Sequence, residues 1–429
     1  MNVLVLGSGG REHAFCWKIA QSTLLDKLYC APGNPGTAQL ATNVELSLKD
    51  FKGIKKFVLE NNISTVVVGP EDPLVAGITN FFLDDVALKK VSVIGPTKEG
   101  AQLEGSKEFA KSFMMRYGIP TAKYKAFTAD SIEEGYQFLS TLKSPYVLKA
   151  DGLAAGKGVV ILKELDEAKE ELKEMLTNKK FGKASEKVVI EEFLKGHELS
   201  VFALSDGNSY KILPTAKDYK RVGEGDSGLN TGGMGAISPA PYADKEFIEK
   251  VEMQIIKPTI EGLKQDGIIY KGFIFVGLMK VGNEPYVIEY NVRMGDPETE
   301  VVLPRLQTDL LDLFDGISSG TLSEKHIDTE YKSAATVMMV SGGYPGKFDT
   351  GKEITGLELE SDSIIFHAST KQDSKGIKTA GGRVLAVTSL GNTTDKAIEK
   401  SYNRIASITY DRMFFRKDIG FDLPVKETK

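Results

Sequence analysis

Apolar and polar positions follow two alternating periods over the first hundred residues. Short β-rich apolar runs at 3–6, 27–30, 65–68 and 91–94 are separated by stretches with four-residue spacing, as in Phe15/Ile19 and Cys16/Ala20. Pro73, following Glu71 and Asp72, suits the first turn of a helix that the pattern extends over 74–83. Strands alternating with helices predict an open parallel sheet covered on both faces.

A second unit opens near Gly100. A helical pattern over 104–117 stops at Gly118-Ile119-Pro120, and strand-like runs at 146–149, 159–162 and 188–191 enclose a glycine loop and a charged helix at 165–176. This compact α+β insertion suits a lid. Long β runs resume at 272–279 and 285–289, with a helix over 306–314. After a polar link at 321–332, strands at 334–340, 364–368 and 383–389 precede a helix over 394–407. The expected organisation is a multidomain α/β and α+β chain. It has an N-terminal unit 1–102, a central unit 103–121 with 195–327, a lid 122–194 and a C-terminal unit 328–429.

Composition narrows the function classes. Lys+Arg 54 against Asp+Glu 59 leaves a formal charge of −5, without the basic excess of a general nucleic-acid binder. Cys16 and Cys30 are the only cysteines, which excludes a disulfide scaffold or a Cys-rich metal site. The N-terminus reads as a first strand rather than a signal peptide, and no apolar run approaches a membrane span. A cytoplasmic location is expected. Without a coiled-coil repeat, so is a monomer. Glycine is abundant, 43 of 429 residues, and gathers in clusters of the kind that phosphate-handling loops need.

Four segments carry candidate chemistry. Gly7-Ser8-Gly9-Gly10-Arg11-Glu12 follows the first strand, but Glu12 occupies the third glycine position of a dinucleotide fingerprint and no acidic residue ends the second strand. An anion at the helix start, with Arg11 beside it, is the favoured reading; a structural turn is the alternative. Gly69-Pro70-Glu71-Asp72 ends a later strand at the same sheet edge. Lys149, at a strand end, and Lys157, within the loop 150–158, match a nucleotide triphosphate better than a glycine turn with solvated lysines. Glu191 and Glu198 are candidate acceptors for an adenine amino group and ribose hydroxyls beside that loop; taken alone, they read as surface carboxylates.

The sharpest segment is 288–298. Period two places Glu289, Asn291 and Arg293 on one strand face, and Tyr290 and Val292 on the other. Carboxylate and amide oxygens suit Mg²⁺ shared with phosphates, and the guanidinium suits developing negative charge; a buried salt-bridge network is the alternative. Between these segments, Lys217-Asp218-Tyr219-Lys220-Arg221 is too densely charged for a core, and the loop 230–235 offers amides and the Thr231 hydroxyl. The four histidines lack metal-ligand spacing, and no covalent nucleophile is signalled. Phosphoryl transfer governed by electrostatics is the chemistry expected.

Taken in order, Val5-Leu6-Gly7-Ser8-Gly9-Gly10-Arg11-Glu12-His13, Ala31-Pro32-Gly33-Asn34, Leu103-Glu104-Gly105-Ser106-Lys107, the segments 149–158, 230–235 and 289–298, Gly342-Gly343-Tyr344-Pro345-Gly346 and Arg416-Lys417-Asp418-Ile419-Gly420 resemble the glycinamide ribonucleotide synthetases, an ATP-grasp family of purine biosynthesis. The resemblance covers essentially the whole chain and its single-function form. It implies a Rossmann-like N-terminal domain, an ATP-grasp core with a lid, and a small C-terminal domain. The implied reaction joins glycine to 5-phospho-β-D-ribosylamine through a glycyl phosphate, consuming ATP. Metal ligation by Mg²⁺ or Mn²⁺ falls on Glu289 and Asn291. ATP contacts fall on Lys107, Lys149, Gly156, Lys157, Gly158, Glu191, the Leu194 backbone and Glu198. Substrate contacts fall on Gly9, Gly10, Arg11, Glu12, Gly69, Glu71, Asp72, Asp218, Lys220, Asn230, Thr231, Gly232, Gly233 and Asp296. Catalytic roles fall on Arg293, Lys149, Lys157 and Asp218, with no general base named. Tyr219 stands where the family commonly has histidine, which weakens a catalytic role for that position. Another ATP-grasp ligase or carboxylase, or a non-catalytic nucleotide-binding protein, are the competing readings.

Overall fold

The first strand, Asn2–Gly7, is buried from Val3 onward and lies at the centre of a five-stranded parallel sheet. Lys27–Pro32 and Thr42–Asn43 lie to one side of it, Thr65–Val68 and Ser92–Ile94 to the other. The chain reverses its winding between Asn2–Gly7 and Thr65–Val68. Loops after those two strands therefore flank the crevice where open α/β sheets bind ligands. The computed structural model describes residues 1–153 and 158–423.

Two of the expected helices are each divided by a local cause. The 74–83 pattern becomes Glu71–Val75 and Ile78–Asp84, because Gly77 adopts φ +91 between them. The 104–117 pattern becomes Gln102–Gly105 and Lys107–Arg116. Ser106 is extended there, and its hydroxyl caps the second helix by accepting from the Phe109 N–H at 3.1 Å. Likewise the 306–314 helix starts later, at Leu310, where Asp309 accepts from the Leu311 N–H.

Tyr124–Thr128, Lys187–Glu192, Tyr146–Ala150 and Val159–Leu162 pair in that order into a four-stranded antiparallel sheet. Helices Ile132–Thr141 and Leu165–Leu176 cover it, and Phe127, Leu139, Leu148, Leu172 and Ile190 form a core of its own. The strand Tyr124–Thr128 and the helix Ile132–Thr141 went unread in the sequence.

A second antiparallel sheet runs Tyr210–Ile212, His197–Ser205, Gly272–Val281, Glu284–Asn291. The last large sheet contains Ser333–Ser341, Arg383–Gly391 and Ile364–His367. It also recruits Lys217–Asp218 and Gly235–Ser238 from far earlier in the chain. The segment carrying candidate substrate groups is thus an edge of the C-terminal sheet, across the expected boundary at 328.

Candidate active site

A cavity of about 450 Å³ lies where the N-terminal sheet edge, the lid sheet and the end of Glu284–Asn291 converge. The strand end is offset by a bulge: Gly277 faces Glu289 whereas Leu278 faces Val287, leaving Ile288 as the extra residue. Beyond the bulge Glu289, Asn291 and Arg293 all line the cavity; Val292 is buried in the apolar core, and Tyr290, buried in the same core, touches the cavity as well. The Tyr290 hydroxyl lies 2.7 Å from that of Thr259, which fixes the strand's reverse face.

Arg293 is clamped on every nitrogen. Its Nε donates to Glu71 Oε2 at 3.1 Å, Nη2 to Glu104 Oε1 at 2.6 Å, and Nη1 to the Met294 carbonyl at 3.4 Å. Burial works against the guanidinium charge, but Glu104 and Glu71 outweigh it and raise its pKa. Glu104 also accepts from the Val292 N–H at 2.8 Å. Its own carboxyl is pushed up to about 7 by burial, against the pull of Arg293. Glu71 shows the opposite balance: burial is outweighed by Arg293 and Arg11, and its pKa falls.

The lid wall is built around Glu191. Its Oε2 lies 3.0 Å from Lys149 Nζ and 3.2 Å from Lys111 Nζ, and its Oε1 is buried without a partner among the described residues. Lys149 also donates to the Ile288 carbonyl at 3.1 Å, so the lid strand is tied to the bulge. Lys107 donates to the Gly152 carbonyl at 3.3 Å, and burial lowers its pKa. Lys111 is lowered to about 8 by burial, with Glu191 opposing. Gly158 lines the cavity, whereas Gly156 and Lys157 lie outside the described residues.

Asp218, Lys220, Thr231 and Gly232 form the opposite wall. The expectation that 217–221 is too charged to be interior is corrected here: Lys217 and Tyr219 are buried. Burial of the Lys217 charge and the Tyr219 hydroxyl is tolerable because each finds a partner. Lys217 pairs with Asp422 at 2.9 Å and lies over the Tyr219 ring, and Tyr219 donates to Asp422 at 3.0 Å. Lys220 pairs with Asp218 at 3.2 Å and with Glu198. Burial disfavours its ammonium, but the two carboxylates outweigh that and hold its pKa well above the ordinary value. Thr231 Oγ1 donates to the Lys220 carbonyl at 2.8 Å and accepts from the Gly233 N–H at 2.9 Å, which shapes the loop.

At the N-terminal edge, Glu12 accepts from the Gly9 N–H at 2.6 Å and from Arg11 Nε at 2.7 Å. A Cβ at Gly7 or Gly69 would overlap this carboxylate. Those glycines therefore make room for Glu12, in place of the third glycine of a dinucleotide fold. Arg11 reaches across to donate to the Met294 carbonyl at 3.2 Å and lines the cavity, as do Glu71 and Asp296. Gly9, Gly10, Glu12, Gly69, Asp72, Asn230, Gly233, Leu194 and Glu198 are not in the cavity lining. Of these, Gly9, Glu12 and Gly69 back Arg11, and Glu198 acts through Lys220.

Glu104, Lys111, Glu298 and Arg383 line the cavity without having been assigned a role from sequence. Arg383, 87 positions from Asp296, donates to its carbonyl at 2.7 Å and to the Gly232 carbonyl at 2.6 Å. Nothing local marks such a residue. Glu104 and Glu298 stood within quoted motifs, and the available signal was a charged residue inside an otherwise apolar or glycine-rich run.

Comparison with known proteins adds a second line. Family models for phosphoribosylglycinamide synthetase match in three pieces: the N domain over 1–104, the ATP-grasp (A) domain over 105–299 and the C domain over 334–422. A phosphoribosylamine–glycine ligase of Caldanaerobacter subterraneus is 44% identical over 420 residues, 98% of this chain and 99% of that protein. The crystal structure of a phosphoribosylamine–glycine ligase from Thermotoga maritima superposes with TM-score 0.85 at 34% identity, covering 97% of this chain and 100% of that one. A biotin carboxylase from Campylobacter jejuni shares the fold at TM-score 0.69 and 14% identity, covering 96% of this chain and 92% of its own.

Proposed function

The chain belongs to the phosphoribosylglycinamide synthetase family, and from that premise and the cavity geometry we propose that it joins glycine to 5-phospho-β-D-ribosylamine at the expense of ATP. The observation that carries the reading is the convergence of three chemically different walls on one cavity. These are the paired lysines and Glu191, the Glu289/Asn291/Arg293 face, and the Asp218/Lys220/Thr231 edge.

ATP occupies the lid side. Lys107 and Lys149 meet the phosphates, and the orphaned Glu191 Oε1 is a ready acceptor for a base amino group. We assign Gly156, Lys157 and Gly158 to the phosphates, and Leu194 and Glu198 to the nucleoside, as the family resemblance implies. The residues fit a divalent cation. Glu289 lines the cavity with no lysine or arginine nitrogen within 4.0 Å among the described residues, and the Asn291 amide follows on the same face. Glu289 and Asn291 would hold the cation, and oxygen donors of the bound phosphates would suit the remaining positions. When bound, Mg²⁺ or Mn²⁺ neutralises charge on the transferring phosphoryl group.

Glycine lies against Asp218, Lys220 and the Thr231–Gly233 turn, with Asn230 and Asp296 at its margins. Phosphoribosylamine enters at the N-terminal sheet edge, where Gly9, Gly10, Arg11, Glu12, Gly69, Glu71 and Asp72 frame it. The γ-phosphoryl passes to the glycine carboxylate, Lys149, Lys157 and Arg293 hold the charge, and the amine displaces phosphate from the resulting acyl phosphate. Because acyl phosphates hydrolyse, the lid 122–194 closes before chemistry. We assign four units, 1–102, 103–121 with 195–327, the lid 122–194 and 328–429, in a cytoplasmic monomer, with Lys217–Asp218 and Gly235–Ser238 of the second unit pairing into the sheet of the last.

The test is ADP release with ATP, Mg²⁺ and glycine, with and without fresh phosphoribosylamine, alongside mass detection of product. Release that needs both substrates, with the mass of glycinamide ribonucleotide, supports the reading. Folded protein that forms no product overturns it.

A further inference from the structure

Apart from Glu289 and Glu298, every carboxyl group lining the cavity lies within 3.2 Å of a lysine or arginine nitrogen. Glu289 has a use in the proposed metal site. Glu298 is 3% exposed, has no ion pair among the described residues, and accepts only from its own backbone N–H and, at 3.5 Å, from the Ser200 hydroxyl among them. A buried carboxyl without a cation is costly in its charged form and persists where the charge change is useful.

Its setting is specific. A Cβ at Gly295 would overlap the Glu298 carboxyl, so the turn after Arg293 is built to let this group reach the cavity. Asp218 acts on it from the C-terminal sheet edge as a like charge, while Lys220 and Arg293 attract its charged form; Glu300, two residues on, is fully buried, and burial, then Asp296, raises its pKa well above the ordinary value. Burial first, then Asp218, pushes the Glu298 carboxyl up to about 8.

We infer that Glu298 is the catalytic proton acceptor for the incoming amine, an inference that rests on the ligase reading above. The amine nitrogen bonds to the carbonyl carbon of glycyl phosphate, and the carbon–oxygen bond to phosphate breaks with its electron pair leaving on phosphate. The surplus proton on nitrogen passes to the Glu298 carboxylate, which returns it to solvent after product leaves. An acceptor that titrates near the operating pH combines adequate basicity with a sufficient ionised fraction. Glu298 must be ionised to act, so the rate rises with pH.

The test uses hydroxylamine as a second acceptor, since its adduct sheds a proton without help. In Glu298→Gln, kcat for glycinamide ribonucleotide falls on the order of 10²- to 10⁴-fold, while glycine hydroxamate still forms from ATP and glycine. In the wild type, kcat with phosphoribosylamine has an acid limb that hydroxamate formation lacks; this comparison decides the matter even where the variant fails to fold. A variant with kcat within about threefold of wild type, far below that loss, overturns the inference, as do identical limbs for both acceptors. Wild-type protein that makes neither product overturns the ligase reading instead.

Discussion

Arg416 is the residue whose removal tests the architecture most directly. It is fully buried, yet its guanidinium donates to both Asp418 oxygens at 2.8 Å, to Asp226 at 2.7 Å and to the Arg221 carbonyl at 3.1 Å, and it lies 5.4 Å over the Tyr219 ring. It thereby pins the hairpin formed by Arg221–Gly223 and Ser227–Asn230 to the C-terminal tail. That hairpin leads directly into Thr231 and Gly232 of the cavity wall. The three bonds to carboxylates, at roughly 1.5–3 kcal/mol each, set the scale of the gross interaction. Arg416→Leu does not lose all of it, because the side chains of Asp226 and Asp418 are 44% and 18% exposed and regain water. Removing the arginine also relieves the cost of burying it, so about 2–4 kcal/mol of local stability remains to be lost. The chain has several units and a single unfolding free energy is ill-defined, so the assay is amide hydrogen exchange over 219–235. The Thr231 and Met234 amides, bonded to the Lys220 and Tyr219 carbonyls at 2.8 and 2.7 Å, are the reporters. At about 1.4 kcal/mol per tenfold, exchange there is expected to quicken roughly 30- to 1,000-fold, with the parallel sheet unaffected. Arg416→Lys, which keeps the charge and loses the fork, falls between. Wild-type exchange rates in Arg416→Leu would refute the reasoning, since the hairpin would then be held by something else.

Three further outcomes follow from the same geometry. In Gly69→Ala the new Cβ overlaps Glu12, which must release Gly9 and Arg11; KM for phosphoribosylamine rises by on the order of tenfold or more, one lost polar contact, while KM for ATP holds. Glu104→Ala leaves Val292 N–H and one side of buried Arg293 without an acceptor, a loss of about 3–5 kcal/mol for a broken buried pair, read as lowered thermal stability together with lowered kcat; Glu104→Gln, which keeps one acceptor oxygen, loses less. His13 Nδ1 accepts from the buried His367 N–H at 2.8 Å, and burial first, then His367, lowers the His13 pKa to about 3, while burial lowers His367 to about 4. Below about 6.5 the unfolded chain therefore binds protons that the folded one refuses, and stability falls as pH drops, by up to about 1.4 kcal/mol per pH unit for each histidine. Above 6.5 both states are neutral and the term vanishes. The check is the shift in urea midpoint between wild type and His367→Gln, followed from pH 7 to 5, which needs no single unfolding free energy; a shift independent of pH would refute it.

Much of the framework is local, and was legible for that reason. Strand runs such as Thr65–Val68 and the period-two face of Glu289, Asn291 and Arg293 report which side of an element is buried, a property that each residue's neighbours in sequence already carry. Glycine clusters marked the loops, and Glu12 in a glycine's place is accommodated by Gly7 and Gly69. What lies against a buried face is another matter. Ser106 and Gly77 divided helices whose apolar spacing ran straight through them, because capping and backbone handedness outweigh periodicity at one residue. The pairing of Arg293 with Glu104, 189 positions away, and of Arg383 with Asp296 has no sequence signature. Lys217 and Tyr219 read as surface because charge density predicts hydration unless a partner is supplied, and the partner Asp422 arrives only when the C-terminal tail folds back. For the same reason Glu298 could not be singled out in the sequence. A carboxyl becomes a proton acceptor through what surrounds it, and only the tertiary structure determines that its neighbours' cations are already engaged elsewhere.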